Sequence, residues 1–113
     1  MTQPLIKKDQ LQEVDVIQVS SSYNVSPTDE VLVVDASGGD VDIFLHAVAE
    51  SRPTPLHIKR VDSGPGSPPT VVTVYGAGSP SELVDNSSST MIVGQYTNLT
   101  IIPDASNDQW WII

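Results

Sequence analysis

The 113 residues of this chain suffice for one compact domain and leave no room for a second core. Fourteen acidic residues against five basic ones give a net charge of −9, which repels phosphate and argues against nucleic acid as a partner. Cysteine is absent, so neither a disulfide framework nor a thiolate metal site is expected.

Residues 1–22 have mixed character, and we predict an extended N-terminal arm there. Residues 7–13 suit one or two helical turns, and the apolar residues from Val14 to Ile17 indicate a short strand. Two of the five basic residues, Lys7 and Lys8, lie in this arm, whereas thirteen of the fourteen acids lie from Glu13 onward. This asymmetry predicts that the arm docks on a complementary surface.

The arm has no apolar run of the length that a signal peptide requires. Nowhere does the chain hold 18 consecutive apolar residues. We therefore expect a protein that is made in a cytoplasm and has no membrane as a partner.

Residues 23–113 are predicted to form a β domain, which begins after a turn at residues 26–29 (SPTD). Residues 30–36 (EVLVVDA) are too apolar for simple alternation, which indicates a strand covered on both faces. The turn SGGD at 37–40 follows. Residues 41–47 then alternate, with Val41, Ile43 and Leu45 on one face and Asp42, Phe44 and His46 on the other. We predict a hairpin of the two strands.

Further strands are predicted at residues 56–61, 70–75, 82–84, 91–93, 99–102 and 110–113, with Gly- and Pro-rich turns between them. The 15 Val, 9 Ile and 8 Thr residues favour such strands, because β-branched side chains pack well on a pleated sheet. Many short strands at about ten-residue spacing are typical of all-β folds. The prediction is a small sandwich, barrel or prism of short antiparallel strands.

Six segments carry a resemblance to a known group of proteins. They read VSPTDE at 25–30, VVDASGG at 33–39, VDIFL at 41–45, LHIKRVD at 56–62, LVDNS at 83–87 and DASNDQWWII at 104–113. In this order they resemble the β-rich modules of tailed-phage fibres, spikes and head decoration proteins. Where those modules carry glycine in the last two motifs, this chain has Asn86 and Ala105. Asn86 tolerates a left-handed turn, and residues 107–108 are expected to supply the other one.

The resemblance implies a homotrimer in the virion, and the lack of a catalytic motif leads us to expect no enzymatic activity. We expect a capsid decoration (cement) protein or head fibre that binds the major capsid protein and stabilises the capsid exterior. The residues predicted to contact the capsid are those of the arm: Lys7, Lys8, Leu11, Val14, Val16 and Ile17. The residues predicted at the subunit interface are Phe44, Trp110 and Trp111. The chain's six aromatic residues give little bulk for an isolated core, which agrees with association.

Trp110 and Trp111 point to opposite faces of a terminal strand, so one enters the core and the other covers a neighbour or a ligand. The alternative function is a tail-fibre or baseplate module that recognises a host glycan with Trp111, Tyr96 or the loop 63–69.

Catalytic and metal sites receive little support from the sequence. Asp40 and Asp42 share a strand face near Asp35, and we interpret them as a solvated turn, with a cation site as the alternative. His46 and His57 lie on predicted strands and we expect no metal there, with a site of three imidazoles on a trimer axis as the less favoured alternative. Neither a nucleophile elbow nor a phosphate-binding loop is present, so we expect no cofactor.

Overall fold

The computed structural model describes residues 15–50, 54–78 and 81–113, which form ten short strands. The strands are β1 Val16–Val19, β2 Tyr23–Asn24, β3 Val31–Val34, β4 Val41–Phe44, β5 Leu56–Arg60, β6 Val72–Tyr75, β7 Leu83–Val84, β8 Ser89–Ile92, β9 Asn98–Asp104 and β10 Gln109–Ile112. Single turns of 3₁₀ helix occupy Val48–Glu50 and Ala105–Asn107. Within these ranges, no helix has the length and apolar character needed to cross a membrane.

The strands divide into two sheets, which the chain visits alternately from β1 to β8. The six-stranded sheet has the order β1-β3-β5-β9-β10-β7, and the four-stranded sheet has the order β2-β4-β6-β8. β1, β3 and β5 are parallel to one another, as are β2, β4 and β6. This is the path of a short two-sheet β-solenoid, in which strands of successive coils stack on each other.

The all-β prediction is confirmed, but the antiparallel hairpin at residues 30–47 is wrong. β3 pairs with β1 and β5, whereas β4 pairs with β2 and β6 in the other sheet. The turn at 37–40 therefore carries the chain round a corner between the sheets, beside the fully buried Ala36. Alternation identifies the apolar face of a strand but leaves its partner undetermined, because both pairings bury the same face.

Antiparallel strands close the coil in the last third of the chain. β8 pairs with β6, β9 pairs with β5, and β10 pairs with β9, while β7 lies parallel to β10. The left-handed turns predicted at Asn86 and at residues 107–108 are confirmed, since φ is 65° at Asn86 and 53° at Asp108. The turn at Asn86 follows the end of β7, and the turn at Asp108 leads from the 3₁₀ helix into β10.

The inward side chains of both sheets meet in one apolar core. The six-stranded sheet contributes Leu32, Val34, Ile58 and Ile101, and the four-stranded sheet contributes Val41, Ile43, Val72 and Val74. The predicted inward face of residues 41–45 is thereby confirmed. Burial of each such side chain contributes about 1.5–3 kcal/mol. Because the core lies between the sheets, the outer face of each sheet points away from it.

Candidate interaction faces

The outward side chains of β1, β3 and β5 form a surface that we call the valine face. By strand alternation and register, its members are Val16, Gln18, Val31, Val33, His57 and Lys59. Val16 is half exposed, whereas Val31 and Val33 are largely covered and keep part of their surface exposed. An aliphatic strip with one cation, Lys59, thus lies on the outside of a sheet whose inner side is already core.

The outward side chains of β2, β4, β6 and β8 form the aromatic face. Its members are Asn24, Asp42, Phe44, Thr73, Tyr75, Ser89 and Met91. The rings of Phe44 and Tyr75 are adjacent and stacked, with centroids 5.3 Å apart and planes at 17°. Phe44 is 41% and Met91 58% exposed. The other members of the face are polar, and Asp42 is the one charged side chain among them.

Trp110 lies in the core, with 1% of its surface exposed, and the ring of His46 meets its indole edge-on at 5.2 Å. No residue of the described ranges accepts a hydrogen bond from its indole N–H. The prediction that one tryptophan enters the core is confirmed. The subunit contact predicted for Trp110 is replaced by a role inside its own chain, because no surface of it is left for a partner.

Trp111 lies on the opposite side of β10, beside Ile102 on the outer face of the six-stranded sheet. Its indole Nε1 donates a hydrogen bond of 2.8 Å to Oδ2 of Asp104, and the side-chain amide of Asn107 donates to the same oxygen at 2.7 Å. These two bonds, the one from Trp111 first, lower the pKa of Asp104. The indole is therefore held in one orientation at the surface.

Arg60 is the most extensively bonded charged side chain of the described residues, and it is 1% exposed. Its Nε and Nη2 donate to the two carboxylate oxygens of Asp62 at 3.0 and 2.8 Å. It also donates to the carbonyl oxygens of Ile92 at 2.9 Å and Thr70 at 2.8 Å. One guanidinium thus connects β5 with the end of β8 and with the loop that precedes β6.

The other half of this network is the buried carboxylate of Asp62. It accepts backbone N–H groups from Ala36 at 2.8 Å and Gly64 at 2.9 Å. The hydrogen bonds from Arg60, and then those from the backbone, hold the pKa of Asp62 well below its usual range, although burial acts in the opposite direction. With its charges fully bonded, the pair is suited to structure and not to binding or catalysis.

The sequence prediction missed this pair. The only local signal was the spacing of Arg60 and Asp62, two residues apart at the end of an apolar strand. The same spacing is equally compatible with two charged side chains exposed to solvent. The sequence also gave no reason to place Tyr75 beside Phe44, because that contact depends on parallel pairing of β4 and β6.

The predicted capsid-binding residues lie in two places. Val16 is on the valine face, and Ile17 packs against the core from the inner side of β1. Outside the described residues lie Lys7, Lys8, Leu11 and Val14. The strand predicted at the end of the arm therefore belongs to the six-stranded sheet.

The acids and histidines singled out in the sequence are dispersed. Oδ1 of Asp40 accepts the backbone N–H of Val71 at 2.9 Å, and Nδ1 of His57 lies 3.0 Å from Oγ1 of Thr100. His46 contacts Trp110 on the core side. The described part of the chain contains no cluster of three or more His, Cys, Asp or Glu side chains arranged to hold a metal ion.

Comparisons with family models, with curated proteins and with solved structures each find no match to this chain.

Proposed function

We propose that this chain is a non-enzymatic structural protein of a tailed-phage virion that assembles as a homotrimer and decorates the capsid exterior. One observation carries the self-association: the aromatic face exposes Phe44 and Met91 on a sheet whose inner side is already packed. Exposed apolar side chains grouped on one face, with polar side chains around them, favour an interaction site. The virion and the number three come from the resemblance of the sequence motifs.

The charges of the described residues support a structural role. The buried Arg60 and Asp62 are bonded to each other, and Asp104 is bonded to Trp111. The side chains left outward on the sheets are chiefly valine, aromatic and hydroxyl groups. Such a surface recognises another surface through shape and apolar contact.

Capsid binding is assigned to the arm, whose described residues are 15–22 and include β1. β1 is an edge strand of the described sheet, and Val16 lies half exposed on it. Three arms on one trimer would engage neighbouring capsid subunits together, so that the overall affinity exceeds that of one arm. A head fibre and a cement protein would both be held on the capsid by such simultaneous binding of several arms.

The first test is the solution mass of the full chain, measured by light scattering after size exclusion at several concentrations. The proposal expects about three times the 12.1 kDa of one chain, persisting on dilution. A mass of one chain at every concentration would contradict it.

The second test is co-sedimentation with phage heads assembled from the major capsid protein of the same virion. A chain that lacks residues 1–14 is compared with the full chain, because this truncation leaves β1 in place. Loss of binding with an unchanged trimer mass is expected. Equal binding by both chains would remove the arm from the proposal.

Recognition of a host glycan is the second candidate function. The ring of Tyr96 is 64% exposed, and the indole of Trp111 is held by Asp104, so two rings are available for stacking on a sugar. A glycan array separates the two functions. Reproducible hits that disappear in Trp111→Ala would favour a tail-fibre module over a capsid protein.

A further inference from the structure

The valine face and the aromatic face carry charges of opposite sign. Lys59 is the only Lys or Arg that the described part of the chain leaves exposed, because Arg60 is buried against Asp62. It lies on the valine face, to which β1, β3 and β5 contribute no carboxylate. On the aromatic face the four strands contribute one carboxylate, that of Asp42, and no cation.

Contact between like faces is disfavoured by these charges. Two valine faces in contact would bring Lys59 of one copy toward Lys59 of the other. Two aromatic faces would likewise bring two Asp42 carboxylates together in a chain that already carries a net charge of −9. Like charges brought together in an interface oppose the contact, whereas complementary ones favour it and fix its register.

We propose that self-association places the valine face of one copy on the aromatic face of the next. The occupant of each face is thus a second copy of this chain, and the inference rests on the proposed self-association. Val31 and Val33 then cover Phe44, Tyr75 and Met91, while Lys59 of one copy approaches Asp42 of its neighbour. Every copy uses both of its faces.

A contact between two different faces has consequences for symmetry. It is heterologous, so it does not produce a two-fold dimer. It builds either a closed ring, which for three copies is the proposed trimer, or an open filament of no fixed mass. Phe44 and Trp111, both predicted at the subunit interface, lie on the outer faces of different sheets. A heterologous contact uses both of these outer faces, whereas a contact between like faces uses one.

Two blocking variants test the contact. Val33→Glu places a carboxylate on the valine face, and Met91→Glu places one on the aromatic face. Each is expected to weaken self-association by about a hundredfold, because a carboxylate replaces an apolar side chain in the contact. At position 33 the new carboxylate also lies in register with Lys59 and competes with Asp42 of the neighbouring copy for that cation. The matched control, Ala49→Glu, adds the same charge at an exposed corner position and should keep the wild-type mass.

Mixing the blocking variants decides between the two modes of contact. An equimolar mixture should give a dimer of one copy of each variant, about twice the mass of the chain. The intact aromatic face of Val33→Glu binds the intact valine face of Met91→Glu, and the two altered faces of this dimer cannot bind a further copy. Contact between like faces predicts that one variant assembles as the wild type does and that no mixed dimer forms. That result would overturn the inference.

A charge exchange keeps the test decisive if a blocking variant does not fold, which circular dichroism would reveal. Lys59→Glu and Asp42→Lys alter exposed or partly exposed positions, and each alone should weaken assembly by about tenfold. The double variant should recover the wild-type mass, because the pair is restored with its signs exchanged. Failure of the double variant to recover overturns the face-on-face contact, whereas a monomeric wild type overturns the proposed function itself.

Discussion

The guanidinium of Arg60 and the carboxylate of Asp62 form a bidentate pair in the interior, with N–H···O distances of 3.0 and 2.8 Å. The two residues are next-but-one neighbours, yet their other bonds reach Ile92, Thr70 and Ala36. The pair therefore joins segments from three turns of the coil. In a domain of this size it supplements a core that has a single buried tryptophan.

Removal of one partner should destabilise the fold strongly. Arg60→Leu leaves the Asp62 carboxylate buried with backbone donors only, and it leaves the carbonyl groups of Ile92 and Thr70 without their donor. We expect a loss of about 3–5 kcal/mol in the free energy of unfolding, measured by urea denaturation. Ser63→Ala, at an exposed neighbouring position, should change it by less than about 0.5 kcal/mol. An unchanged urea midpoint for Arg60→Leu would show that the network contributes nothing.

Acid should destabilise the protein through Asp62. The folded-state pKa of this carboxyl is lowered by Arg60, so its contribution to stability is present above the unfolded-state pKa of about 3.9 and is lost as the pH falls from there toward the folded-state pKa. Urea denaturation at a series of pH values below about 5 should show a declining free energy of unfolding. In Asp62→Asn the decline should be smaller.

The control for acid destabilisation is Asp35→Asn, at an exposed position, which should keep the wild-type pH dependence. If Asp62→Asn and Asp35→Asn retain the same slope, the acid sensitivity arises elsewhere.

Alkali should act through Tyr23. Its hydroxyl donates a hydrogen bond of 2.7 Å to Oδ2 of Asp29, and this bond, burial and the nearby negative charge raise the pKa of Tyr23 to about 12. The stability from this bond is fully present below the unfolded-state pKa of about 10 and is lost as the pH rises toward 12. A spectrophotometric tyrosine titration should show one phenol ionising near pH 12, and Tyr23→Phe should remove that step. Its persistence in Tyr23→Phe would assign the step to another tyrosine.

Gly76 should resist substitution although its backbone φ is ordinary. A Cβ atom at this position would overlap the carbonyl group of Glu82, which is backbone and has little freedom to retreat. Gly76→Ala is expected to cost about 1–3 kcal/mol in thermal or urea unfolding. Gly38→Ala is the matched control, because a Cβ there meets no atom within 4 Å, and it should be neutral or slightly stabilising. Equal stability of the two variants would contradict the close approach.

The sequence located most strands of the described residues to within a few positions. β-Branched runs between Gly, Pro and Asp turns identified β3 to β10, and period-two alternation correctly placed Val41, Ile43 and Leu45 inside. These features are local: a side chain's face and a turn's φ depend on the few residues around it. The two-residue strand β2 was missed because Tyr23–Asn24 lies among polar residues and has no β-branched run.

The pairing of those strands was decided only by the tertiary structure. A turn such as residues 37–40 serves equally to reverse a strand beside its neighbour or to carry it round a corner, since both bury the same side chains. The same holds for charges and rings. From the sequence, Arg60 and Asp62 are expected at the surface, whereas the fold buries them. Phe44 and Tyr75 are neighbours because β4 and β6 pair in parallel register. The sequence by itself thus determined which side chains point into the core. Which strands pair, and therefore which side chains lie together on each outer face, was determined by long-range stacking of the coils, which no local pattern encodes.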